Sequence, residues 1–175
     1  TAVCCLGSVN LEFYDDWKDS KRFILDCLTY LDGVLMSFCK EKIVREEMKD
    51  AAYSAGRERS VGLGAMGFHT YLQKKNVSFE SAIAKSFNLS MFKHIRTEAD
   101  KANRKLAKEL GACPDAEEMG IQKRFSYMLA IAPTASISII AGGTSPCIEP
   151  WNANIFTQKT IAGSFEVKNK QLKAI

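Results

Sequence analysis

Two cysteines stand side by side, Cys4 and Cys5, inside the run AVCCLGSVNL at residues 2–11. The run is short, apolar and uncharged, so a buried strand is expected there. Neighbouring strand residues point to opposite faces, so only one of the two thiols can face a given cavity. A disulfide between them would be strained. Two readings stay open. A free cysteine is a good small core hydrophobe. Alternatively, one thiol belongs to a redox pair whose partner lies elsewhere.

A second stretch with chemical potential is Pro133, Thr134, Ala135, Ser136, Ile137 and Ser138. It follows the apolar run Tyr127–Ile131, expected as a strand, and precedes Ile139 and Ile140, so it reads as a strand-to-helix switch. At a helix start the uncompensated N–H groups and the helix dipole make a site for an anion. The hydroxyls of Thr134 and Ser136 could add donors, and a phosphate held there needs no lysine. An ordinary N-cap is the alternative. No GxxxxGK[ST] motif occurs, so the usual nucleotide-triphosphate loop is absent.

Gly142–Pro150 reads as a turn-rich loop that either approaches a ligand or merely connects. Glu149, between Ile148 and Pro150, is expected as a buried acceptor for backbone N–H groups. Gly62, Gly64 and Gly67 satisfy the GxGxxG spacing, but no strand of dinucleotide-binding character precedes them. Close packing is the favoured reading. His69 and His94 are too few and too separated to argue a metal site, so none is expected. No Ser-His-Asp or paired-carboxylate arrangement can be read from the order.

The elements that position these residues follow from periodicity. Phe23, Leu28, Leu31, Leu35 and Phe38 recur at helical intervals, predicting a long helix over 18–40. Residues 41–55 read as a second, more polar helix or turn. Residues 80–110 give the clearest helix, with Phe92, Ile95, Ala99, Ala102, Leu106 and Leu110 spaced by threes and fours. Gly111 is placed to cap it, and Pro114 stops it. Strands alternating with long helices argue an α/β architecture, with no internal repeat and no linker long enough to divide two domains.

Composition narrows the classes. The chain has 175 residues, 46% of them hydrophobic and 25% charged, with mean hydropathy −0.13. That describes a globular protein rather than a disordered one, and no apolar run approaches the ~20 residues of a membrane helix. Lys and Arg number 24 against 20 acids, a net charge of +4. The basic residues are dispersed among acids, as a solvated helix face requires, so no nucleic-acid footprint is expected. Six cysteines lack CxxC or zinc spacing. With no secretory signal in sight, a reducing cytosol is expected. A chain opening on Thr1 and stopping in a helix-like basic stretch is expected to be a piece of a longer polypeptide.

Together, AVCCLGSVNL, RSVGLGAMGF, the FESA–helix–ACPD stretch and APTASISIIAGGTSPCIEPWNANIFTQKT resemble, in order, the large subunit of ribonucleotide reductase. The resemblance runs from Ala2 to about Lys170. It is to the class I, aerobic enzyme, and the final block looks most like phage or bacterial versions. It implies that residues 1–175 are part of the family's catalytic ten-stranded α/β barrel, a helix-rich fragment.

The family pattern A-V-C-x-L places the second cysteine of the active-site redox pair at Cys4. Cys5 falls where the family has a polar residue such as Asn or Thr. The family's P-[ST]-x-[ST] loop, which binds the substrate's phosphates, carries onto Pro133, Thr134, Ala135, Ser136 and Ile137, in agreement with the anion site above. Cys147 stands where related sequences often have Ser or Gly and is assigned no role. The implied reaction replaces the 2′-hydroxyl of a ribonucleotide by hydrogen. A thiyl radical removes the 3′ hydrogen, and two thiols supply two reducing equivalents while becoming a disulfide. Cys4 and the phosphate loop are expected to converge on one ribonucleoside diphosphate.

The resemblance also implies what lies elsewhere. The radical cysteine, the first cysteine of the pair, the effector region that binds ATP or dATP, the radical-path tyrosines and the C-terminal cysteine tail belong to other parts of the large subunit. No cofactor is expected on this segment. Thioredoxin or glutaredoxin is the implied reductant, and a radical-generating metal sits in the small subunit. The implied partners are that small subunit, the remainder of the large subunit and a second large subunit in a homodimer, in the cytoplasm, or the host's if phage-encoded. This segment alone is expected to be inactive. The rivals are a class II, cobalamin-dependent reductase fragment, a non-catalytic nucleotide-binding module of the same fold, and a helical interaction protein whose cysteines are core.

Overall fold

A computed structural model of the chain describes residues 3–40, 46–160 and 163–174. In chain order the elements are β1 (Cys5–Asn10), α1 (Tyr14–Trp17), α2 (Phe23–Lys40), α3 (Lys49–Glu58), β2 (Val61–Met66), α4 (Phe68–Lys74), α5 (Ala82–Leu110), α6 (Pro114–Glu118), α7 (Ile137–Ile140), β3 (Ile155–Thr160) and β4 (Gly163–Lys168), with short 3-10 turns at Leu11–Phe13, Glu46–Met48 and Lys170–Ala174. β1 pairs with β2, and β3 pairs with β4. Among the described residues no helix is long and apolar enough to cross a membrane.

The chain forms two compact units, each built from separated segments. The first takes Thr1–Gly7, Asp19–Leu63 and Met91–Ala130. Its core holds Leu28, Leu31 and Leu35 of the predicted α2 stripe together with Ile24, while Phe23 and Phe38 are half-buried; on α5, Met91, Ile95, Ala99, Ala102 and Leu106 are buried. α3 packs on α2 and on α6. Helix α2 starts at Phe23 rather than at 18, because residues 18–22 offer no apolar side chain and the buried stripe begins only at Ile24. Of the expected polar helix over 41–55, residues 41–45 lie outside the described residues; the remainder forms the turn at Glu46–Met48 and the first part of α3.

At the centre of this unit lies a buried carboxylate. Asp32 on α2 is ion-paired with Arg59 and, through two bonds of 3.1 and 3.0 Å, with Arg124. All three side chains are buried. Arg124 also donates to the carbonyls of Leu110 and Gly111 at 2.9 and 3.1 Å, so it caps the C-terminus of α5. Gly111 has a φ of +89° there, the left-handed conformation expected of it. Asn103 on α5 accepts from the N–H groups of Arg124 and Phe125 at 2.7 and 3.0 Å and donates to the Phe125 carbonyl at 3.2 Å.

The expected strand over Tyr127–Ile131 is reduced to a single parallel bridge, Leu63 to Leu129. Val61 donates to the Tyr127 carbonyl and Leu63 to that of Met128, both at 2.9 Å. Two residues of advance on β2 meet one on the partner, so the bonds are out of step with a regular parallel ladder.

The second unit takes Ser8–Lys18, Gly64–Ser90 and Ile131–Ile175. Leu11, Trp17, Phe68, Tyr71 and Leu72 are buried in it, with Tyr14, Trp17, Tyr71 and Phe87 in edge-to-face contacts at 4.9 to 6.3 Å. Glu12 is buried between Lys74 and Lys170, at 2.9 and 2.8 Å. Burial opposes its charge, yet the two ammonium groups outweigh it and hold the carboxyl below its ordinary range. The antiparallel hairpin of β3 and β4, in register from Ile155↔Lys168 to Thr160↔Gly163, is not anticipated by the sequence reading.

Replacing Asp32 by Asn leaves Arg59 and Arg124 as buried cations without a counter-ion. Urea unfolding is expected to show a loss of about 3–5 kcal/mol.

Candidate functional site

Cys4 belongs to the first unit, immediately before β1. It is exposed, and its Sγ lies beside Gly62 of β2: a Cβ on Gly62 would sit 3.2 Å from the sulfur and 2.9 Å from the Ala130 Cβ. Cys4, Leu6, Gly62 and Ala130 therefore share one face, and only the missing side chain at Gly62 leaves room for the thiol. This is a packing reason for the GLGAMG glycines. That segment is itself the buried strand β2, not a phosphate loop following a strand.

Cys5 falls on the opposite face, the one on which a Cβ at Gly7 would meet the Leu31 side chain of α2 at 3.4 Å. Burial pushes both thiols above the ordinary thiol value, and Cys5 is pushed further by Cys4 and by Cys39 of α2. Cys4 thus stands as a protonated, accessible thiol at neutral pH, while Cys5 is turned toward the helix. All six cysteines are free. Among the described residues no group of three or more His, Cys, Asp or Glu side chains could hold a metal ion.

The 133–138 loop belongs to the second unit. Pro133, Ala135, Ser138 and Ile139 line a cleft of about 350 Å³, closed on its other sides by Cys147, Glu149, Trp151, Asn152, Phe156 and Gln158 among others. The helix that follows is a single turn, with Ser136 as its N-cap residue making no side-chain cap bond and Ile137 as its first residue. By helix geometry the N–H groups ahead of Ser138 have no intrahelical acceptor; Ser138 itself donates to the Thr134 carbonyl at 2.9 Å. Ala135, Ser136 and Ile137 are exposed.

The Thr134 side chain is buried, and its hydroxyl oxygen accepts the Cys147 N–H at 2.7 Å. Its φ is +51° and that of Cys147 is +35°. A β-branched residue in the left-handed region is costly, and the bond to Cys147 is what holds it there. Glu149 is corrected: it is exposed and lines the cleft rather than being buried under backbone donors.

Other residues that mount the loop carry no local sequence signal. Thr70 of α4 and Ser145 are fully buried and bonded reciprocally: the Ser145 N–H donates to Thr70 Oγ1 at 2.8 Å, and the Thr70 N–H to Ser145 Oγ at 3.2 Å. Gly67, with φ +80°, donates its N–H to the Ser145 carbonyl at 2.8 Å. A Cβ at Gly67 would strike Asn10 Oδ1 and Thr144 Oγ1. His69 accepts the Trp151 N–H on Nδ1 at 3.0 Å, and burial lowers its pKa, which keeps that nitrogen an acceptor. Their partners lie 75 and 82 positions away in sequence.

The family model described as ribonucleotide reductase, barrel domain, matches residues 1–124 and 116–175. The chain is 47% identical over 175 residues to the ribonucleoside-diphosphate reductase large subunit of Invertebrate iridescent virus 3, covering 100% of this chain and 27% of that protein. It is 32% identical over 188 residues to the vitamin B12-dependent ribonucleoside-diphosphate reductase of Thermoplasma acidophilum, covering 97% of this chain and 24% of that protein. Among solved structures, the class Id ribonucleotide reductase alpha subunit of Actinobacillus ureae superposes with a TM-score of 0.81 at 36% identity, covering 86% of this chain and 28% of that one. The chain thus spans about a quarter of the length of these relatives.

Replacing Thr134 by Val orphans the buried Cys147 N–H while keeping the strained φ. Unfolding experiments are expected to show a loss of about 1–3 kcal/mol. Thr134→Ser, which keeps the acceptor, is expected to lose less than about 1 kcal/mol.

Proposed function

Because the chain belongs to the ribonucleotide reductase barrel-domain family, we propose that it is part of the catalytic barrel of a ribonucleoside-diphosphate reductase large subunit. As such it takes part in reducing ribonucleotides to deoxyribonucleotides for DNA synthesis. The observation that carries the reading is the 133–138 loop: it lines a concave cleft, opens a helical turn, and is held in shape by Thr134 and Cys147. Backbone N–H groups at Ala135, Ser136 and Ile137, with the Ser136 hydroxyl, bind the diphosphate of the substrate. Pro133 and Thr134 shape the loop.

Cys4 supplies one of the two thiols. In the overall exchange a ribonucleotide and two thiols give a deoxyribonucleotide, water and a disulfide. The 2′-hydroxyl leaves as water, carrying a proton from a thiol, and the two sulfurs are oxidised as the sugar is reduced. A thiol held protonated near neutral pH suits that proton delivery. Thioredoxin or glutaredoxin returns the disulfide to thiols. The other thiol of the pair and the radical cysteine come from the remainder of the large subunit. The radical itself originates at a metal in a small subunit, and the large subunit acts as a homodimer in the cytoplasm. ATP and dATP act at a region outside this segment.

A class II reading draws on the 32% identity to the vitamin B12-dependent relative. The higher identity to the viral large subunit favours class I.

Two substitutions in the assembled reductase test the proposal. Cys4→Ser is expected to abolish turnover with thioredoxin while leaving nucleoside diphosphate binding intact; turnover at the wild-type rate would leave only a nucleotide-binding module. Ser136→Asp places a carboxylate at the proposed phosphate site. It is expected to weaken nucleoside diphosphate binding at least tenfold, given that like-charge juxtaposition costs several kcal/mol, and unchanged affinity would rule out the loop as the phosphate site.

A further inference from the structure

The loop that lines the cleft does not hold its shape by internal bonds alone: within it Ser138 donates only to the Thr134 carbonyl at 2.9 Å and, through Oγ, to the Ala135 carbonyl at 3.2 Å. Its conformation depends on the segment Thr144–Cys147, which reaches it by two bonds: the Thr144 N–H to the Ser138 carbonyl at 3.1 Å and the Cys147 N–H to Thr134 Oγ1 at 2.7 Å. On its other side the same segment is fastened to the start of α4. Ser145 accepts from Gly67 and Thr70 and donates to Thr70. Thr70, Thr144 and Ser145 are each 0% exposed, so water cannot replace any lost bond. Ser145 and Cys147 are separated by Pro146 alone, whose fixed φ transmits a shift from one to the other.

We propose that Thr70 is a positioning residue for substrate binding: through its reciprocal bonds with Ser145 it sets the register of Cys147 against Thr134, and hence the conformation of the 133–138 loop. This rests on the reading of that loop as the phosphate site. Thr70 touches no substrate itself. Its hydroxyl oxygen is the acceptor for the Ser145 N–H, a buried donor with no water to turn to. Without that acceptor the segment shifts to find one, and Cys147 moves with it. The phosphates bind remote from the reacting sugar, so a misplaced loop costs binding shared by ground and transition states. That raises KM and leaves kcat unchanged.

The test uses the assembled reductase carrying Thr70→Val, which keeps the shape of the side chain and removes the acceptor. The KM for the nucleoside diphosphate, and its directly measured Kd, are expected to rise about tenfold, as one lost buried hydrogen bond implies. The kcat at saturation is expected to stay within about threefold, and Thr70→Ser to restore both constants. Should the valine variant not fold, Ser145→Ala removes the reciprocal acceptor and carries the same expectation. A lowered melting temperature with unchanged KM and Kd would mean that Thr70 is merely structural, and the inference would fall. Ser136→Asp, run in parallel, separates the two failures. If it leaves the affinity unchanged, the phosphate-loop reading fails and this inference with it. If it weakens binding while Thr70→Val does not, only the role of Thr70 is lost.

Discussion

A carboxylate out of water must be matched by positive charge close at hand, and Asp32 is matched twice, by Arg59 and by Arg124. That requirement organises the first unit. It ties α2 to the end of α3, where Arg59 follows Glu58 in the left-handed conformation with φ +49°. It also ties α2 to the segment after α6, where Arg124 meanwhile caps α5. Asn103 satisfies the backbone beside Arg124. Buried ion pairs contribute little net stability compared with apolar packing. What the structure shows is linkage: one buried carboxylate joins α2 to the end of α3 and to the segment whose Arg124 caps α5.

β2 receives its position from this arrangement. It begins two residues after Arg59, and Val61 and Leu63 donate to the chain just beyond Arg124. The space over Gly62 then decides where the Cys4 thiol can lie. The placement of the Cys4 sulfur thus follows, by short steps, from the neutralisation of one aspartate.

The second unit uses neutral hydrogen bonds for the comparable task. Gly67, Thr70, Ser145, Thr134 and Cys147 form a run of buried donors and acceptors, each with its partner. Two non-glycine residues with positive φ, Thr134 and Cys147, are held against their preference at the edge of the cleft. Strain of this kind persists only where the surroundings over-determine it. Here the surroundings are α4 and the Thr144–Cys147 segment, which is why the loop keeps a shape that its own short helix, four residues long, cannot impose.

The helices α2 and α5 and the strand β1 are legible in the sequence because their signal is local: an apolar stripe at spacing three or four, a short uncharged run, a glycine after the last turn; the burial expected of β1 is not met, since of Cys5–Asn10 only Val9 is buried. The ordered motifs were enough to indicate the reductase family, and they marked Cys4 and residues 133–137. Other features had no local signal. The apolar run at 127–131 reads as a strand, but a strand exists only where a partner's bonds keep step, and those of β2 do not. The hairpin of β3 and β4 has a weak sequence signal: Phe165 and Val167 alternate with polar residues, but the alternation is brief and almost all of it is exposed. The type of Glu149 suggests a buried acceptor although the residue is exposed, and nothing local shows that Thr134 Oγ1 already accepts the Cys147 N–H, since hydroxyl and carboxylate types tell what a group can bind and not where the fold puts it. Thr70, Ser145 and the Asp32 triad were invisible for the same reason. Sequence alone determined which residues could do chemistry, because reactivity is a property of the side chain. The tertiary structure decided which of them are free to do it, because hydrogen bonds and ion pairs between residues tens of positions apart exist only once the chain has folded.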